Sequence, residues 1–165
     1  MSGGKANIAR GTVASISGGS LNIADGYYAS VSGGYKNKAS GNWASVSGGY
    51  RNEASLRFTS VSGGTVNQAA EEGASVSGGA GNIASGYGSW IGGGHGNRAG
   101  SIYGQGGCIE LPCPGYTSVS GGENNTANGL GSSILGGQNN TTNGIDSSIL
   151  GGQNNTANND FQIVP

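Results

Sequence analysis

The chain has 165 residues and a net charge of −1, with 37 Gly, 23 Ser and 3 Pro. Such a composition without a period would be low-complexity, but a near-neutral chain lacks the self-repulsion that keeps disordered segments open, so a hidden order is expected. One His, two Cys and eight carboxylates supply little for catalysis, and no apolar run is long enough to span a bilayer. Met1-Ser2-Gly3-Gly4 also has neither the basic nor the apolar region of a signal peptide.

The order is a period of fifteen. A Gly-Gly pair starts at Gly3, Gly18, Gly33, Gly48, Gly63, Gly78 and Gly93 and then, after one longer gap, at Gly121, Gly136 and Gly151. Each pair is followed by an asparagine: Asn7, Asn22, Asn37, Asn52, Asn67, Asn82, Asn97, Asn125, Asn140 and Asn155. Two residues later comes Ala, or Thr at position 142, and a Val or Ile precedes each later pair, from Ile16 and Val31 to Ile134 and Ile149. The unit reads roughly Ala-Ser-Val-Ser-Gly-Gly-x-x-Asn-x-Ala-Ser-Gly-x-x. Ser-Val-Ser and Asn-x-Ala alternate as half-buried strands do. The glycines between them supply turn conformations closed to other residues, and a helix is excluded by glycine every few positions.

Each unit is therefore predicted to be one coil of an all-β, parallel β-solenoid or β-roll with about ten coils. At about 4.8 Å per coil the rod is roughly 48 Å long, with the asparagines as a side-chain ladder and Val/Ile and Ala as apolar stripes. A thin coil with one Val and one Ala to bury against fifteen ordered residues is short of apolar contact, a deficit that side-by-side association of chains would fill.

Along the chain, residues 1–99 hold repeats one to seven, 100–116 an insertion, and 117–165 repeats eight to ten with a tail. Repeats two to four gather Tyr27, Tyr28, Tyr35, Lys36, Lys38, Trp43, Tyr50, Arg51, Arg57 and Phe58 at variable positions. Tyr28, Trp43 and Phe58, one period apart, suit an interface between chains. Tyr35, Lys36, Lys38, Tyr50 and Arg51 are the candidate ligand patch, where aromatic rings beside cations suit sugars or an anionic surface. Serines flank each Val, as in Ser15 and Ser17 or Ser30 and Ser32, in two rows that end at Trp90. These rows suggest an ice-binding solenoid as one alternative, although Ser lacks the stiff methyl-bearing side chain of Thr.

The insertion carries Cys108 and Cys113, either a small disulfide ring or two free thiols. With His95 they still lack a fourth metal ligand, so no metal site is assigned. All seven basic residues precede Ala99, against Asp25, Glu53, Glu71 and Glu72, whereas Glu110, Glu123, Asp146 and Asp160 follow unopposed. The two halves thus stand near +3 and −4, a bias that can steer an anionic partner to the first half. Seven dispersed basic residues do not make a nucleic-acid surface, and the Asn-Asn-Thr units at Asn124, Asn139 and Asn154 match glycosylation acceptors in form only.

The repeated Ala-Ser-Val-Ser-Gly-Gly and Asn-x-Ala-Ser-Gly units resemble the YadA-like head repeats of trimeric autotransporter adhesins, and related repeats of phage and virus tail fibres. The resemblance covers the chain apart from the insertion. It departs in having coils of fifteen residues where fourteen is commoner, and Gly-Gly where Ala-Ile-Gly is frequent. No coiled-coil stalk or membrane anchor follows the repeats in this sequence, which ends at Asp160-Phe161-Gln162-Ile163-Val164-Pro165. The resemblance implies a left-handed roll, a homotrimer, intertwined or side by side, and attachment to a glycan or protein receptor from a cell or virion surface. No catalytic residue, cofactor, nucleic acid or membrane insertion is expected. A filament subunit without a ligand is the second alternative.

Overall fold

The structure, a computed structural model, describes residues 3–100 and 115–165. Among these residues it is all-β, with no helix, and forms a parallel solenoid of about ten turns of fifteen residues each. Coils are numbered 1 to 10 by their ladder asparagine, so that coil 3 is residues 33–47 and coil 9 is residues 136–150. Each contributes one two-residue strand to each of two ten-stranded parallel sheets. The first sheet runs from Ile8–Ala9 to Thr156–Ala157 and the second from Ser15–Ile16 to Ile163–Val164. Register is one full coil: Ala39 pairs with Ala54 and Val31 with Val46, and a third line of single bridges joins Tyr35 to Tyr50 at the turn after the glycine pair.

Most backbone N–H groups donate forward to the next coil, as Ser30 does to Ala44 (2.9 Å) and Lys38 to Asn52 (2.8 Å). Two residues per coil donate backward instead. Lys36 N–H reaches Ser20 O (3.0 Å) and Trp43 N–H reaches Tyr27 O (2.8 Å). Both have positive φ, 57° and 56°, and their counterparts, from Leu21 to Asn154 and from Val13 to Phe161, share this conformation. The left-handed residue turns its peptide over at each corner, so both corners of every coil keep their backbone hydrogen bonds.

The interior is made of small side chains. Ile16, Val31, Val46, Val61, Val76, Ile91, Val119, Ile134 and Ile149 form one buried stripe, and the alanines from Ala24 to Ala157 a second. A third stripe consists of Ala29, Ala44, Thr59, Ala74, Ser89, Thr117, Ser132 and Ser147. Its hydroxyls are mostly satisfied locally: Thr59 Oγ1 donates to Leu56 O and Ser147 Oγ to Gly144 O. Thr142, standing where other coils have Ala, donates to Ser132 Oγ (2.9 Å). The apolar stripes are thus enclosed by the single chain. The deficit inferred from composition was overstated, because it omitted the third stripe and the asparagines that fill the remaining interior.

The asparagine ladder accounts for the corner after the glycine pair. Asn37 Nδ2 donates to Gly33 O of its own coil and to Gly49 O of the next, both at 2.9 Å. Its Oδ1 accepts the backbone N–H of Asn52 (2.9 Å). One side chain must offer an acceptor and two donors on a short stem. Asp lacks the donors, and Ser has only one. The same three-way pattern repeats in coils 1 to 9. The two glycines of the pair differ. The second, such as Gly34 at φ 89°, could not carry a Cβ without colliding with Gly49 O. A Cβ on the first, such as Gly33, would meet nothing within 4 Å.

The ladder also crosses the insertion. Asn125 N–H donates to Asn97 Oδ1 (2.9 Å), Arg98 pairs with Thr126 and Ile91 with Val119, so register resumes as if residues 101–114 were not there. Cys108 and Cys113 lie outside the described residues.

Candidate recognition surface

Because the inward positions are occupied by the same small residues in every coil, all variety is carried by the corners and the outward strand positions. In coils 3 and 4 the first corner holds Tyr35-Lys36 and Tyr50-Arg51. The two tyrosine rings lie 5.7 Å apart at 6° between planes, Lys36 Nζ is 5.2 Å from the Tyr35 centroid, and the Arg51 guanidinium is 5.2 Å from that of Tyr50. The coil repeat sets this stacking, since equivalent residues stand about 4.8 Å apart. One face of each ring turns to the other along the rod, and the hydroxyls, ring edges and cations lie at the surface with both tyrosines 39% exposed. Lys38 is not part of this cluster. It sits on the first sheet and pairs with Glu53 (2.9 Å).

The other corner of coils 2 to 4 gathers a second aromatic cluster. Tyr28 and Trp43 are stacked at 6.3 Å and 2°, Trp43 and Phe58 at 5.3 Å and 25°, and Tyr27 stands edge-on to both Tyr28 and Trp43. Arg57 lies 4.5 Å from the Phe58 ring and 5.3 Å from that of Trp43. All four rings are exposed, between 41% and 48%. The fold does not require aromatics here, because Gly73, Gly88 and Gly131 take the same left-handed position in other coils. A bulky residue in this conformation costs roughly 1–2 kcal/mol relative to glycine.

A shallow groove opens beside the first corner, between coils 4 and 6. It has a volume of about 240 Å³ and is lined by Arg51, Glu53, Val66, Gln68, Gly81 and Ile83. Its cause is a shrinking side chain at one ladder position, from Arg51 through Val66 to Gly81. Of these residues only Arg51 belongs to the candidate ligand patch read from the sequence. The signal was present in the run Arg, Val, Gly at one-coil spacing, but it becomes a cavity only once those positions are known to project outward.

The serine rows run unbroken from Ser15 and Ser17 to Ser75 and Ser77. Trp90 and Gly92 then replace them, the indole Nε1 donating to Ser77 Oγ (3.2 Å) with its ring close over Gly92. The rows do not end there, since Ser118 and Ser120 take them up again, followed by Ser133 and Ser148 beside the exposed Leu135 and Leu150.

Coils 8 to 10 carry Glu123-Asn124, Gln138-Asn139 and Gln153-Asn154 at the first corner where coils 3 and 4 carry tyrosines and cations. Gln153 donates to Gln138 (2.7 Å), Gln138 to Glu123 (3.1 Å), and Asn128, Asn143 and Asn158 form a parallel row. Asn124, Asn139 and Asn154 are the left-handed corner residues, a conformation Asn accepts more readily than most. No family model matches this chain, and no curated protein matches it either.

Proposed function

We propose that this chain is the head or shaft of a surface fibre, assembled as three left-handed rolls side by side, that attaches to a surface or receptor through coils 2 to 4. The observation that carries this reading is the gathering in those coils of stacked, exposed rings with cations against them, whereas the exposed Tyr87, Trp90, Tyr116 and Phe161 of later coils have no cation over their rings among the described residues. Folding gains little from Trp43 or Phe58 in a left-handed corner, so their placement fits contact with something outside the chain. The first glycine of each pair supports close association, since it leaves bare backbone in a line where a Cβ would meet nothing. The task is attachment rather than catalysis, at the exterior of a cell or virion, without cofactor. The amide rows of coils 8 to 10 fit the part of such a fibre that only spans distance.

Two measurements test this. Sedimentation of the full chain gives three times the chain mass if the fibre is trimeric, and beads coated with the chain adhere to cells. A monomer that adheres to nothing overturns the proposal.

A further inference from the structure

Resting on the reading that this chain attaches to surfaces, we propose that the groove between coils 4 and 6 binds a single carboxylate-bearing sugar ring, of the uronate or sialate kind. Its size comes first. At about 240 Å³ it is smaller than the several hundred Å³ that enclose drug-sized ligands, and it suits one ring.

Its chemistry is divided as a sugar acid requires. Arg51 is held against Tyr50, with the guanidinium 5.2 Å from the ring centroid. The ion pairs among the described residues are Arg10–Asp25 and Lys38–Glu53, which leaves Arg51 for an incoming anion. A guanidinium fork matches a planar carboxylate. Gln68 lines the groove with a side-chain amide that makes no hydrogen bond to the described residues, and such an amide serves ring hydroxyls both as donor and acceptor. Glu53, neutralised in part by Lys38 at 2.9 Å, accepts hydrogen bonds from ring hydroxyls, and its remaining charge disfavours a dianionic phosphate monoester more than a monoanionic carboxylate. Val66 and Ile83 offer aliphatic surface to the apolar face of a sugar.

Val66 adds an independent sign. It is β-branched, 51% exposed, and held at φ 56°, where a β-branched residue is an outlier. Gly81, Gly96, Asn124, Asn139 and Asn154 occupy the same position in other coils at lower strain. Strain retained where the fold offers an easier residue points to a role in contact.

The test titrates the full chain with methyl glucuronoside, methyl sialoside and methyl glucoside, and in parallel measures adhesion of chain-coated beads to cells. The expected result is binding of one acidic glycoside at least tenfold tighter than methyl glucoside, with the uronate and sialate arms showing which acid it is. Arg51→Gln reduces that binding at least tenfold. Gly81→Asn abolishes it with an unchanged unfolding midpoint, because three other coils carry Asn at this position. Equal binding of the neutral sugar, binding of none of the three, or full binding by Gly81→Asn overturns the assignment. If no glycoside binds but the beads still adhere, the groove assignment falls and attachment stands; if the beads adhere to nothing, both fall.

Discussion

Coils 2 to 4 and coils 8 to 10 have the same backbone and differ in almost everything they show to solvent. Inside, both carry the Val/Ile stripe and the asparagine ladder, with Asn37 and Asn140 making the same three hydrogen bonds. Outside, the first set presents stacked rings capped by Lys36, Arg51 and Arg57, and the second presents Gln and Asn rows with no basic residue. The contrast separates the positions that fold the chain from those that the fold leaves free to vary. Interior positions tolerate little change over ten coils, while corner positions accept Tyr, Lys, Gly or Asn on one scaffold.

The largest effects should ignore that contrast. Asn37→Ala and Asn140→Ala each leave one glycine carbonyl (Gly33 O or Gly136 O) and the next coil's N–H without a partner and remove a second bond to Gly49 O or Gly152 O, and each should lower stability by about 2–4 kcal/mol in denaturant unfolding. A large loss for one and none for the other would show that the two regions are not one scaffold. Gly34→Ala should cost about 3 kcal/mol or more, through its left-handed φ and the collision with Gly49 O. Gly33→Ala, one residue away, should cost less than about 1 kcal/mol in unfolding of the single chain, and equal losses there would refute the different roles given to the two glycines.

Smaller effects should sharpen the contrast. Trp43→Gly removes ring contacts worth about 0.5–1.5 kcal/mol and relieves left-handed strain of similar size, so its unfolding free energy should stay within about 1 kcal/mol of the parent. Adhesion or association should fall in the same variant, and a stability loss of several kcal/mol would make the aromatic strip a folding device. Lys38→Met breaks an exposed pair and should cost under about 0.5 kcal/mol, a difference that vanishes in 1 M salt.

The coil was legible in the sequence because its period is spelled by residues with single solutions: the second glycine of each pair needs its φ, and each Asn must serve three partners. The third interior stripe was passed over because it changes from Ala44 to Thr59 to Ser89, and a hydroxyl reads as outward until the structure shows it bonded to a nearby turn carbonyl. The left-handed corners were hidden for a related reason. Tyr28, Trp43 and Val66 are poor choices for that conformation, and only the Gly and Asn at the same position in other coils betray it. For the candidate patch, the one-coil spacing of Tyr35 and Tyr50 gave their adjacency. The direction of their ring faces, the pairing of Lys38 with Glu53 and the groove beside Arg51 depend on side-chain angles that no spacing encodes.

The central claim is that one invariant stack carries recognition in a few coils, and exchanging the two surfaces tests it most directly. In a variant with Tyr35→Gln, Lys36→Asn, Tyr50→Gln and Arg51→Asn, coils 3 and 4 take the corner residues of coils 9 and 10. The account predicts an unfolding midpoint within a few degrees of the parent and a loss of surface adhesion. Adhesion at the parent level, or a chain that no longer folds, would contradict it.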